Sequence, residues 1–174
     1  IWSYGHRNPQ GLAFHPETGD LWANEHGPQG GDELNRITAG SNYGWPVIGY
    51  GVNYRSGTAI HEGTHREGME APVHVWVPSI ATSGLMIYTG DRFPAWRGNV
   101  FVGGLREGGI PRTGQVQRIV FNEQELHLAA RGRSPIFTKR TESVRSGDLG
   151  PQILSDRVLG ADERSVGRAE APTE

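Results

Sequence analysis

Between Ile1 and about Phe121 the apolar residues come in runs of four to six, each closed by turn-forming residues, and this punctuation limits the chain more than any other feature. The runs are Gly11 to Phe14, Asp20 to Ala23, Val73 to Val77, Gly84 to Tyr88, Asn99 to Val102 and Val116 to Phe121. Between them stand Pro16 to Gly19, Gly27 to Asp32, Thr89 to Asp91, Phe93 to Gly98 and Gly103 to Gly109, which fits a chain holding 26 glycines and 11 prolines. Runs of that length bounded by Gly, Pro, Asn and Asp read as strands, and a 3.6-residue apolar period is hard to find in this half. The expectation is an all-β propeller, sandwich or barrel.

One stretch carries most of the chemistry. Residues Gly5 to Asn35, GHRNPQGLAFHPETGDLWANEHGPQGGDELN, put Arg7, Asn8, His26, Asp32 and Glu33 on two Gly- and Pro-rich loops around a short apolar segment at Leu21 and Trp22. Arg and Asn offer forked donors suited to carboxylates and carbonyls, and turns held by strands fix where those donors point. A formal net charge of -2 disfavours nucleic acid and a basic membrane-facing surface as partners. With no cysteine there are no disulfides, thiolate metal sites or cysteine nucleophiles. No apolar stretch approaches the roughly 20 residues of a membrane helix.

After Phe137 no aromatic residue occurs, and Thr138 to Glu174 is dominated by Arg, Glu, Asp, Ser and Gly. Such a stretch buries little apolar surface to offset the entropy of ordering it. The division expected is therefore 1–137 as the β unit and 138–174 as a divergent tail, largely disordered.

The motifs GHRNPQG, NEHGPQGGDELN, GSNYGWP, GMEAPVHVWVPSIATSGL and FPAWRGNVFVGGL, in this order from Ile1 to about Leu105, together resemble the soluble aldose sugar dehydrogenases of the glucose/sorbosone dehydrogenase family, which use pyrroloquinoline quinone (PQQ). The resemblance implies a six-bladed β-propeller of four-stranded blades with PQQ over its axis. This chain would be about three of those blades, from the C-terminal half, with the remainder of the propeller as its partner. It also implies an aldose as substrate, oxidised at C1 to a lactone, an external electron acceptor, and a periplasmic or secreted location.

PQQ is a planar tricarboxylate bearing an ortho-quinone, so its site must neutralise negative charge and polarise carbonyls. The resemblance puts Arg7 and Asn8 at the cofactor, Arg7 stabilising charge on the reduced quinone; read alone, Arg7 could make an ordinary ion pair and Asn8 shape a turn before Pro9. Calcium is the second implied component, a hard cation that accepts main-chain carbonyls as ligands. Gly27 and Pro28 match the positions whose carbonyls bind it, and Glu33 and Tyr43 match a separate structural calcium site, with Tyr54 in a further one. His26 and Asp32 match positions near the sugar. The family's proton-accepting histidine is expected upstream of Ile1, which excludes His26 as the base. His6 is expected to satisfy backbone groups of its turn, and the other histidines to be incidental. Pro78, Ser79, Ile80 and Ala81 resemble a loop bordering the cofactor, and Arg106 stands where relatives carry a PQQ-contacting Lys. Trp45, Trp76 and Trp96 are expected in the core.

Beyond Phe121 the family pattern weakens. Where relatives carry two PQQ-binding arginines, Arg140 stands for the first and Glu142 replaces the second, a like charge against an anionic cofactor. The strand that should follow is missing from Pro151 to Asp156, as a frameshifted or diverged C-terminus would leave it. Three readings remain at this level: a segment of a PQQ- and calcium-dependent aldose dehydrogenase; a catalytically inactive propeller fragment retaining calcium or protein binding; and an incomplete product unstable alone. The first reading expects no sugar oxidation from the 174 residues by themselves.

Overall fold

In the computed structural model, residues 1–107, 110–121 and 139–144 are described. They form two four-stranded sheets. The first contains β1 (Pro9–Phe14), β2 (Leu21–Glu25), β3 (Asp32–Ile37) and β4 (His74–Trp76) in that spatial order. The second contains β5 (Thr82–Ile87), β6 (Val100–Glu107), β7 (Ile110–Phe121) and β8 (Lys139–Val144), again in chain order. Neighbours from β1 to β4 and from β5 to β7 are antiparallel. A four-stranded meander is the size of one propeller blade, and the chain is a partial all-β propeller, of which the described residues hold two such units.

The runs expected as strands contain or overlap six of these elements. β3 was not foreseen, because DELNRI is mostly polar; its Leu34 and Ile37 are nevertheless buried, together with Asp32 and Asn35. The only helical element among the described residues is a single 3-10 turn, Pro94–Trp96, inside an expected turn. The chain divides into units Ile1–Ser143 and Val144–Glu174, later than the expected boundary at 137. Lys139–Val144 is a strand inside the stretch expected to be irregular, because a β7 long enough to present a free edge gives even polar residues backbone partners. Residues 145–174, with Arg145 and the Pro151 to Asp156 run, lie outside the described residues.

The main core lies where the two sheets face each other. Trp22 and Leu34 from the first sheet pack with Ile87, Val100, Val102, Ile119 and Phe121 from the second, and Trp76 and Ile80 close the cluster. Trp22 is fully buried, its ring 5.1 Å from Phe121. The alternation of β6 separates this core from a second layer: Val100 and Val102 face inward, while Phe101 joins Tyr88 and Trp96 on the opposite face. Ala23, Ile37 and Tyr43 form a smaller cluster on the far side of the first sheet.

Register places the functional residues. Pro9 pairs with Glu25, Glu25 with Glu33, and Asp32 with Trp76, so the start of β1, the β2–β3 turn and the end of β4 share one end of the first sheet. Side chains from that end cross to the start of β5. Asn24 Nδ2 donates to Ser83 O at 2.9 Å, and His26 Nε2 donates to Thr82 O at 2.6 Å.

Candidate functional site

The turn before β1 is organised by a residue that the sequence reading passed over. Glu25, 4% exposed, accepts from the backbone N–H of Arg7 at 2.6 Å and of Asn8 at 3.3 Å through Oε2. Its Oε1 accepts from His6 Nδ1 at 3.0 Å and Asn35 Nδ2 at 3.0 Å. A buried carboxylate is costly without such partners, and four donors supply them. His6 therefore serves side chains, contrary to the expectation that it satisfies backbone: it also lies 2.9 Å from Ser3 Oγ and stacks on Tyr43 with ring centroids 4.6 Å apart.

Arg7 makes no ion pair among the described residues. Its Nη1 donates to His26 O at 3.1 Å, and its guanidinium lies 5.2 Å from the Trp45 ring centroid. Trp45 is thus the platform under Arg7 and not a core residue; the Trp45–Pro46 peptide is cis. Trp76 is in the core as expected, with Nε1 donating to Gln117 Oε1 at 2.6 Å, and Trp96 is part-buried within an aromatic cluster. Asn8 is exposed, and its Oδ1 accepts from Gln10 Nε2 at 2.9 Å.

The β2–β3 turn is held from three sides. Gly30 and Gly31 adopt φ of +88° and +76°, which brings Gly31 N to Trp76 O at 2.9 Å. Gln29 and Val52 exchange two backbone hydrogen bonds of 3.1 Å, pinning the turn from outside. Asp32, 1% exposed, accepts from Gly27 N at 3.0 Å through Oδ1 and from Thr82 N at 3.2 Å through Oδ2. Asp32 thus ties the turn to β5, and both its oxygens are engaged by backbone. Gly27 and Pro28 are buried, and among the described residues nothing donates to either carbonyl. A side chain at Gly27 would collide with the Gly31 carbonyl, so the turn closes only with glycine there.

Glu33 faces Glu25 across the β2–β3 ladder, and Asn35 Nδ2 bridges the two, reaching Glu33 Oε2 at 3.3 Å. Burial, then repulsion from Glu25, raises the Glu33 carboxyl from its ordinary 4.5 to about 7, against the opposing pull of Asn35 and His6. Burial first, then the Glu33 charge, also raises Tyr50. Tyr43, 5% exposed, joins the cluster through His6, and its hydroxyl donates to Arg36 O at 2.6 Å. Tyr54 is exposed, in the turn closed by Asn53 and Thr58, and bonds to none of these residues. Among the described residues no three His, Cys, Asp or Glu side chains gather as a metal cage.

The loop from Pro78 to Ala81 joins β4 to β5 at the same end. Val77–Pro78 is cis, Ala81 has φ of +54°, and Ser79 Oγ is buried without a hydrogen-bond partner among the described residues. Arg106, near the end of β6, is exposed and linked to this loop by its N–H, which donates to Ile80 O at 3.1 Å. Arg140 and Glu142 fall in edge strand β8, and their side chains lie outside the described part of the structure. Register and bonding thus bring Arg7, Asn8, His26, Gly27, Pro28 and Asp32 together, with Glu33 and Tyr43 behind them on the Glu25 cluster.

The family model described as Glucose / Sorbosone dehydrogenase matches residues 1–148. The aldose sugar dehydrogenase YliI of Escherichia coli is 41% identical over 166 residues, 92% of this chain and 42% of that protein. The crystal structure of the soluble aldose sugar dehydrogenase of Escherichia coli in the apo-form superposes with a TM-score of 0.63 at 43% identity, over 71% of this chain and 34% of that one. The PQQ-bound aldose sugar dehydrogenase of Streptomyces coelicolor superposes with a TM-score of 0.55 at 28% identity, over 86% and 34%. The chain spans less than half the length of each.

Proposed function

The chain belongs to the glucose/sorbosone dehydrogenase family, and from that premise we propose that it supplies one wall of a PQQ- and calcium-dependent site oxidising aldoses at C1 to lactones, with electrons leaving to an external acceptor. The observation that carries the reading is the set of unspent polar groups at one strand end. Arg7 uses one guanidinium N–H on His26 O, Asn8 Nδ2 has no intramolecular acceptor among the described residues, and the Gly27 and Pro28 carbonyls accept nothing there. Cationic and amide donors suit a tricarboxylate, and paired main-chain carbonyls suit a hard cation. The PQQ-bound relative from Streptomyces coelicolor supports the cofactor.

When bound, PQQ supplies the two-electron acceptor for the sugar. The protein residues hold and orient. Arg7, fixed over Trp45, offers a permanent positive charge, and Asn8 a neutral donor next to it. His26 and Asp32 are the candidates for contact with the sugar, and their bonds to Thr82 keep the turn on β5. Arg106 and Arg140 are further cationic candidates for the cofactor carboxylates. Glu33, with the Tyr43 carbonyl, is the candidate for a second, structural calcium, and Tyr54 for a further one. Among the described residues no helix is long and apolar enough to cross a membrane; the periplasmic or secreted setting rests on the family resemblance.

Titrating the purified chain with PQQ in excess calcium, with tryptophan fluorescence as readout, tests this reading. Saturable quenching is expected, weakened about tenfold or more in Arg7→Ala, the loss of one charge-assisted contact. Absence of saturable binding, or equal affinity in the variant, would overturn it.

A further inference from the structure

We infer that Glu25 is the positioning residue of this site, fixing Arg7 and Asn8 by binding their main chain. The inference rests on the reading above that those two residues face the cofactor. Glu25 lies in β2 between Asn24 and His26, where neighbouring positions serve packing or contacts across to β5. An apolar side chain would fill the buried place at lower desolvation cost. It would leave the Arg7 and Asn8 N–H groups without their acceptor, and these are the two amides preceding Pro9, whose nitrogen has no hydrogen to contribute.

The geometry gives the carboxylate two duties on two oxygens. Oε2 takes both turn amides, at 2.6 and 3.3 Å, so one atom sets the direction in which the Arg7 and Asn8 side chains leave the backbone. Oε1 takes His6 and Asn35, both at 3.0 Å, which locks the carboxylate plane. The Arg7 guanidinium is held separately by His26 O and Trp45. Glu25 thus controls the stem of Arg7 while its head is placed by other groups. Loss of Glu25 would let the turn move while the core strands stay paired.

The test uses the full 174-residue chain and two readouts. In Glu25→Gln, which keeps size and removes charge, amide hydrogen exchange at Arg7 and Asn8 is expected to accelerate roughly tenfold or more while Trp22 and Leu34 stay protected. PQQ affinity in excess calcium is expected to fall by a similar factor, with Glu25→Asp recovering part of both effects. Because part of the effect of Glu25 runs through Arg7, adding Glu25→Gln to Arg7→Ala should weaken binding further by less than Glu25→Gln weakens it alone. Unchanged exchange at Arg7 and Asn8, a uniform rise across the core, or fully additive losses would each overturn the inference. If Glu25→Gln fails to fold, the same measurements on Glu25→Asp decide. If the unaltered chain binds no PQQ, the proposed function falls, and the exchange data alone still decide whether Glu25 fixes the turn.

Discussion

At the scale of single residues, Glu33 is the most sensitive group in the site. Its carboxyl titrates at about 7 in the folded chain against an ordinary 4.5, so folding binds a proton that the unfolded chain releases between those values. Stability is therefore lost as pH rises from about 4.5 to 7, and the cost is fully present above 7. Glu33→Gln is expected to raise the melting temperature at pH 8 in chelator and to leave it nearly unchanged at pH 4.5, measured by thermal unfolding; a stabilisation equal at both pH values would contradict this. Arg7, Asn8, Gly27 and Pro28 are legible as loop residues because Gly and Pro announce their turns, whereas Asp32 and Glu33, expected on a loop, open strand β3, and Arg106 and Arg140, on β6 and β8, are named only through the family resemblance. Glu25 and Asn35 were not legible. They sit on strands, where an isolated polar residue reads as solvent-facing, and only the paired register of β2 with β3 shows four donors meeting one carboxylate.

At the scale of elements, β1 explains how closely the two sheets are joined. Gly11 lies opposite β5, and a Cβ there would come within 2.8 Å of Leu85 Cβ and 2.9 Å of Leu85 N. Backbone cannot yield as a side-chain tip does, so Gly11→Ala is expected to destabilise by about 1–3 kcal/mol in denaturant unfolding, as overpacking generally does. A neutral variant would mean that the sheets are not in contact at β1. The apolar runs foretold β1, β2 and β4 to β7 because each carries its own hydrophobic face. β3 and β8 lack that signal: DELNRI and KRTESV are strands through their neighbours, β3 with partners on both sides and β8 against β7. Single-sequence patterns do not register a strand whose stability comes from pairing.

At the scale of the whole described unit, the site is one end of a blade secured to the next. Asn24, His26 and Asp32 all bond to Thr82 or Ser83, and Trp76 reaches across to Gln117. A ligand that grips the Gly27–Pro28 turn and Arg7 together would therefore stabilise both sheets, not one loop. This makes thermal unfolding under four conditions, with chelator, with calcium, with PQQ in chelator, and with calcium and PQQ, the most direct measurement of the central claim that this end is a calcium and PQQ wall. The account predicts that PQQ and calcium together raise the melting temperature by roughly 5 °C or more at saturating ligand, and that PQQ in chelator does not. A melting temperature indifferent to PQQ in the presence of calcium, or a PQQ shift that chelator leaves intact, would contradict it.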